Sequence, residues 1–136
     1  MANIKGGCLC GAVRYQSAAE PAMQVICHCK ACQKNSGSAF SMNVAVPLDS
    51  LNVEGAVHCY EDHSGASGQP FHRHYCGSCG SHVYSHGAAY GEMAFIKAGT
   101  LDDAAWLAPA MHIWTAEKLP WVSIPEGATQ SPGNPG

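Results

Sequence analysis

Seven of the eight cysteines in this 136-residue chain fall into three short clusters. The clusters are Cys8-Leu9-Cys10, Cys27-His28-Cys29-Lys30-Ala31-Cys32 and Cys76-Gly77-Ser78-Cys79. Thiolates separated by one or two residues are the usual means by which a chain surrounds a soft tetrahedral metal ion, and zinc is the commonest such ion. Four ligands close a structural site, whereas three leave one coordination position open. The cysteines therefore predict one closed and one open zinc site.

The remaining composition narrows the environment and the partners. Charged residues make up 12% of the chain, the formal net charge is -3, and there is no basic run. We therefore expect neither nucleic acid nor an anionic membrane as a partner. No apolar stretch approaches the ~20 residues that cross a bilayer, and residues 1–7 lack the apolar core of a secretory signal. A cytoplasmic protein is expected, and its reduced thiols favour metal binding over disulfides.

The apolar pattern predicts a mainly β fold, because Val, Ile, Tyr and Phe occur in short runs between Gly, Pro, Asn and Asp. The predicted strands cover residues 8–16, 22–26, 39–46, 56–61, 71–76, 93–98 and 111–114. Short helices are predicted for one or two turns after Cys29 and for a turn around residues 101–106. We expect one domain over residues 1–127 and, from its Gly and Pro content, a disordered tail over residues 128–136.

Two of the clusters predict the closed site. Cys76 and Cys79, followed by Gly80, form the commonest zinc half-site, a tight turn whose backbone amides can point at the sulfurs. In an extended strand, Cys8 and Cys10 would project from the same face. The two pairs together predict a four-cysteine site that joins the N-terminal strand to the second half of the chain, where metal binding would add stability.

Three clustered cysteines remain, namely Cys27, Cys29 and Cys32. Their spacing allows a strand end and the first turn of a helix to place three sulfurs around one ion, and a helix N-terminus favours thiolate over thiol. Two alternatives stay open. One is that His28, His74 or Cys59 closes this site and makes it structural; the other is that the three cysteines are free thiols. The isolated Cys59 is interpreted as a small residue of the core.

Longer motifs surround the cysteines and follow one another along nearly the whole chain. They are Gly6-Gly7-Cys8-Leu9-Cys10-Gly11-Ala12-Val13-Arg14-Tyr15, Cys27-His28-Cys29-Lys30-Ala31-Cys32-Gln33-Lys34-Asn35-Ser36-Gly37-Ser38-Ala39-Phe40, Tyr75-Cys76-Gly77-Ser78-Cys79-Gly80, Lys97-Ala98-Gly99-Thr100-Leu101-Asp102-Asp103, and His112-Ile113-Trp114 with Pro120-Trp121. In these motifs the chain resembles the glutathione-dependent formaldehyde-activating enzyme family, which also includes centromere protein V. The resemblance implies a β-tent-like fold of small twisted antiparallel sheets, tied by a four-cysteine zinc site and carrying one or two short helices.

The resemblance also implies two zinc ions per chain and a reaction. It places a structural zinc on Cys8, Cys10, Cys76 and Cys79, and a catalytic zinc on Cys27, Cys29 and Cys32. The family's named activity condenses formaldehyde with glutathione to S-hydroxymethylglutathione, which is a carbon–sulfur lyase reaction run in reverse. Small-molecule thiol and aldehyde substrates are therefore expected, although a fold transfers within a family more safely than a substrate.

The open site suggests how such a reaction would proceed. Zinc held by three thiolates is a weak electrophile, so we expect it to hold an incoming thiol as thiolate for addition to a small aldehyde. His28, His74 and His112 are candidate proton donors, with His28 and His112 preferred. Lys34 and Asn35 are the candidates for binding the glutathione carboxylates. With only 7 Lys and Arg residues in the chain, a less charged thiol is also compatible.

Two other functions stay open at this point. One is a zinc enzyme that acts on a different small carbonyl or thioether compound. The other is a zinc-stabilised binding module without catalysis, in which both ions are structural. The sequence does not define the oligomeric state.

Overall fold

The computed structural model describes residues 3–135 and is mainly β, which confirms the predicted fold class. Its strands, numbered along the chain, are β1 Ile4–Gly7, β2 Arg14–Ser17, β3 Met23–Cys27, β4 Ser41–Pro47, β5 Asn52–Glu54, β6 Val57–Asp62, β7 Phe71–Cys76, β8 His82–His86, β9 Met93–Lys97, β10 Met111–Ile113 and β11 Thr129–Gln130. The described residues contain one α-helix, α1 Lys30–Ser36, and short 3₁₀ turns. None of their helices is long and apolar enough to cross a membrane.

The chain divides into two compact units, the first made of residues up to Met23 with Val44–Trp106, the second of Gln24–Asn43 with the residues from Leu107 onward. In the first unit, β1, β2 and β5 form an antiparallel sheet in the order β1-β2-β5. Strands β6 to β9 are antiparallel neighbours in the order β9-β8-β7-β6. Fully buried Val13, Val83 and Ile96 belong to the core of this unit.

In the second unit, β10 is the central strand. It pairs in parallel with β3 and with β11, a departure from the antiparallel pairing that the family resemblance implies. The register sets His112 opposite Ile26 and Ile113 opposite Cys27. The end of β10 therefore lies beside the point where β3 runs into the cluster of three cysteines.

The segment 128–136, predicted to be a disordered tail, contains β11. The backbone N–H of Ser131 donates to the carbonyl of His112 (2.9 Å), and that of Trp114 donates to the carbonyl of Gly133 (3.1 Å). The indole Nε1 of Trp114 donates to Oδ1 of Asn134 at 2.8 Å. These bonds hold the segment along β10 as far as Asn134, while Gly136 lies outside the described residues. The predicted domain extent of 1–127 stays a prediction.

Two local predictions are wrong. The strand predicted over residues 8–16 begins only at Arg14, because residues 8–13 turn back on themselves. In that turn Gly11 N donates to Cys8 O (3.2 Å), Cys8 N donates to Val13 O (3.0 Å), and Gly11 has a φ of 82°, which glycine adopts readily. The helical turn predicted around residues 101–106 is not found there; a 3₁₀ turn precedes it at Ala98–Thr100.

Candidate functional site

Three cysteines of the second unit converge where β3 ends and α1 begins. They are Cys27, the last residue of β3, Cys29, the N-cap of α1, and Cys32, in the first turn of the helix. Their sulfur atoms lie within 4.8 Å of one another. Cys29 is extended, and its sulfur accepts a hydrogen bond from Cys32 N at 3.3 Å. The sulfur thus serves as the helix cap, a task usually left to an oxygen.

The pKa of the Cys27 thiol bears on whether a metal ion fits this group of three cysteines. Hydrogen bonds with the Cys29 and Cys32 sulfurs, followed by burial, raise the pKa of Cys27 far above the ordinary value of a thiol. Repulsion between neighbouring thiolates acts in the same direction, because a second and a third thiolate would place like charges side by side in a partly buried site. A divalent cation would offset these charges, and an all-sulfur donor set suits zinc. The group therefore fits the ion that the sequence predicts.

A buried histidine pair lies next to these cysteines. His28 follows Cys27 directly, is 0% exposed, and its Nε2 lies 2.9 Å from Nδ1 of His112, which is 4% exposed. The two rings stack with their centroids 5.1 Å apart, and Phe40 packs on His28 at 5.6 Å. Nδ1 of His28 is buried and has no hydrogen-bond partner among residues 3–135. Burial lowers the pKa of both histidines and so favours the neutral rings.

The second cysteine group lies in the first unit. Its members, whose sulfurs also lie within 4.8 Å of one another, are Cys8, Cys10, Cys76 and Cys79. Backbone and hydroxyl groups point at these sulfurs, as expected for thiolates: Val13 N donates to Cys8 Sγ at 3.2 Å, and Ser81 Oγ lies 3.2 Å from Cys79 Sγ. Hydrogen bonds from Ser81 lower the pKa of Cys79 to about 5. Gly80, with a φ of 78°, allows the turn to close. Cys8 and Cys10 share a turn rather than the predicted strand.

The residues that could have closed the three-cysteine group do not join it. Within residues 3–135, the group consists of the three sulfurs with no fourth ligand atom from His, Cys, Asp or Glu. Cys59 is exposed on β6, so its interpretation as a core residue is wrong. The chain thus presents one set of four sulfurs and one set of three.

The comparison with known protein families decides the family. A sequence profile described as the glutathione-dependent formaldehyde-activating enzyme matches residues 3–117. The chain belongs to this family. The resemblance found in the cysteine motifs is therefore confirmed.

Two individual relatives are consistent with this assignment. A protein of Halomonas elongata named "Putative glutathione-dependent formaldehyde-activating enzyme" is 29% identical over 126 residues, covering 89% of this chain and 80% of that protein. A Rhodobacter sphaeroides protein of known crystal structure superposes with a TM-score of 0.59 at 21% identity, over 77% of this chain and 91% of the other. The second similarity concerns the fold alone.

The predicted glutathione-binding residues, Lys34 and Asn35, are both exposed on α1. The N-terminus of that helix is already occupied, because the Glu117 carboxylate accepts a hydrogen bond from Lys30 N at 2.7 Å. An anion would therefore compete there with a carboxylate of the chain itself. The exposed Lys34 carries its charge at the other end of the helix, in the last turn.

Arg73, a further cation close to a cysteine cluster in sequence, is committed elsewhere. The residue is 5% exposed, and its guanidinium donates from Nε to Asp62 at 2.8 Å and lies 4.9 Å from the centre of the Phe71 ring. A buried arginine paired in this way is not available to a substrate carboxylate.

Two residues that position the site were not singled out from the sequence. Gln33 Nε2 donates to the carbonyls of His28 (2.8 Å) and Glu117 (3.1 Å), and so ties α1 to the residue between the first two cysteines. The only sequence signal was the i, i+4 spacing of Gln33 from Cys29 on a short helix. Glu117 gave no signal, because it reaches α1 from a 3₁₀ turn 87 residues further along the chain.

Proposed function

We propose that this protein is a zinc-dependent carbon–sulfur lyase that adds a thiol, glutathione or a similar one, to formaldehyde or another small aldehyde. The reaction is placed at Cys27, Cys29 and Cys32. The observation that carries the proposal is the contrast between a group of four sulfurs and a group of three with no fourth ligand atom in residues 3–135. Family membership and the name of the Halomonas relative support the reaction class and the substrates.

When bound by the three thiolates, zinc supplies a positive charge that keeps an incoming thiol deprotonated near neutral pH. The remaining work falls to the chain. The reaction forms a carbon–sulfur bond and converts the aldehyde C=O into C–OH, so the proton lost by the thiol must end on the former carbonyl oxygen. His28 and His112 are proposed to move this proton, since a 2.9 Å hydrogen bond already joins their rings.

Binding of the thiol is assigned to α1. Lys34 and Asn35, both exposed, are proposed to hold the carboxylates of glutathione through charge and N–H donation. We infer a cytoplasmic location, because this chemistry requires reduced thiols.

Exchange NMR of formaldehyde with glutathione tests the proposal. Zinc-loaded protein is expected to accelerate the exchange between free and glutathione-bound formaldehyde. Cys29→Ser is expected to abolish the acceleration, whereas Cys59→Ser, a matched change of an exposed cysteine outside both groups, is expected to retain it. Elemental analysis should find about two zinc ions per chain in the parent and about one in Cys29→Ser.

Two results would contradict the proposal. One is unchanged exchange on addition of protein that carries both ions. The other is a Cys29→Ser protein that binds less zinc and loses much stability while exchange stays as in the parent. That second result would mean that the three-cysteine group serves the fold alone and that the exchange takes place elsewhere, whereas the first would favour the zinc-stabilised binding module.

A further inference from the structure

Three histidines gather on strands β7 and β8 of the first unit, outside both cysteine groups. His72 and His74 are two residues apart on β7, so their side chains share one face of the strand. On β8, His86 lies opposite His72 and Tyr84 lies opposite His74. The strand register therefore brings three imidazoles to one patch, which we call the histidine patch: His72, His74 and His86.

Two of these imidazoles already have the separation that a metal ion requires. Nε2 of His74 and Nε2 of His86 are 3.0 Å apart. For two nitrogens each at 2.0–2.1 Å from one ion, the expected separation is roughly 2.9 Å at a right angle and roughly 3.3 Å at the tetrahedral angle. The buried Tyr84 ring lies against His74 at 4.3 Å and 6°, which fixes the plane of that imidazole. The pair is thus preorganised to act as two adjacent ligands.

The third imidazole is not yet in place, because the ring nitrogens of His72, His74 and His86 do not all lie within 4.8 Å of one another in the described residues. The His72 ring is stacked on His86, with centroids 4.9 Å apart and planes at 27°. Binding of all three to one ion therefore requires the His72 ring to leave this stack and turn a nitrogen toward the pair, a rotation that the broad last torsion of histidine permits. All three histidines are half-buried.

We propose that the histidine patch is a third metal site, for a borderline divalent cation such as Ni²⁺, independent of the two cysteine groups. Neutral imidazoles suit nickel, copper and zinc ions, whereas groups of thiolates select softer metal ions. The competing interpretation is a plain hydrogen bond between His74 and His86 with no ion. The two interpretations differ in what happens when a suitable cation is supplied.

The probe is Ni²⁺ added to zinc-loaded protein in the Cys59→Ser background. The Cys59 sulfur is 3.9 Å from Nδ1 of His72 and could itself bind nickel. With Cys59 replaced by serine, any nickel–thiolate absorption band would come from the two cysteine groups. His86→Gln and His72→Gln each remove one imidazole. His63→Gln is the matched control, because His63 is exposed and its Nε2 bonds to Glu61 (3.0 Å) rather than to the patch.

We expect one nickel per chain with the zinc content unchanged, no nickel–thiolate band, and paramagnetic broadening of the patch imidazole resonances in NMR. His86→Gln is expected to weaken nickel binding more than about tenfold, and His63→Gln to leave it unchanged. The proposal is overturned if nickel does not bind, if it enters only by displacing zinc, or if the patch variants bind as well as the control. Urea unfolding identifies a variant that fails to fold, and in that case the other patch variant decides.

Discussion

The buried histidine pair leads to a prediction that separates a structural role from a chemical one. His112→Ala leaves both ring nitrogens of the fully buried His28 without a hydrogen-bond partner in the described part of the chain. A buried polar group that loses its partner costs about 1–3 kcal/mol. The cavity left by the imidazole adds to this, because His112 is itself 4% exposed. We expect the free energy of unfolding to fall by about 2–4 kcal/mol.

His112→Asn is the matched variant. The asparagine amide can occupy the position of the histidine Nδ1 and keep the bond to His28, so the loss of stability is expected to stay below about 1.5 kcal/mol. Proton transfer between the rings is lost in both variants, so both should fail in the formaldehyde exchange assay. Asparagine would therefore rescue stability but not activity.

Urea unfolding at a constant concentration of free zinc measures the effect. With a slope of about 2 kcal/mol per molar urea, His112→Ala should lower the midpoint by roughly 1–2 M. Equal stability losses for Ala and Asn would refute the role given to the hydrogen bond. Full exchange activity in His112→Asn would refute the role of the pair in moving the proton.

Two further predictions concern the first unit. Gly6→Ala would bring a Cβ onto the Thr100 carbonyl and the Tyr15 hydroxyl. We therefore expect the free energy of unfolding, measured with urea, to fall by about 1–3 kcal/mol. The control is Gly99→Ala, whose Cβ meets nothing within 4 Å and whose free energy of unfolding should stay within about 1 kcal/mol of that of the parent. Burial acts to raise the pKa of Asp62, but hydrogen bonds with Ser64 and Arg73 outweigh it and the net pKa is lowered. Because the folded pKa lies below the unfolded one, this contribution to stability is complete above the unfolded value of about 3.9 and is lost as the pH falls through the folded value. Asp62→Asn should therefore lower the free energy of unfolding by about 3 kcal/mol at pH 7. The difference in stability between variant and parent should shrink below about pH 3.9. A difference that does not change with pH would contradict the lowered pKa of Asp62.

The sequence predicted well what depends on neighbours in the chain. The cysteine groups were anticipated because each half-site is a contiguous segment whose turn can be recognised from its spacing and glycines. Strands such as β7 and β9 were anticipated from their β-branched and aromatic residues. By contrast, β1 contains Gly6 and Gly7, which are typical of turns. It is a strand because Gly6 pairs with Tyr15 and leaves room for the Tyr15 ring.

What depends on register was not predicted. His28 and His112 were both chosen as candidate proton donors, yet nothing in their local sequence indicated that they touch. They meet because β10 runs parallel to β3 and His112 is paired with Ile26, a pairing that joins residues 84 positions apart in the hydrogen bond itself. A short strand of three residues carries too little pattern to reveal its partner.

The same distinction separates the metal sites that this chain offers. The sulfur sets are assembled from turns, as in Cys27 to Cys32, so their donor atoms converge locally and their softness selects zinc. The histidine patch is assembled by the pairing of two strands, with its donors spread along β7 and β8 at positions set by the sheet. A substitution that shifts the β7–β8 register should therefore abolish nickel binding while leaving the three-cysteine group able to bind zinc. Loss of zinc from that group, in turn, should not affect the nitrogen pair of His74 and His86.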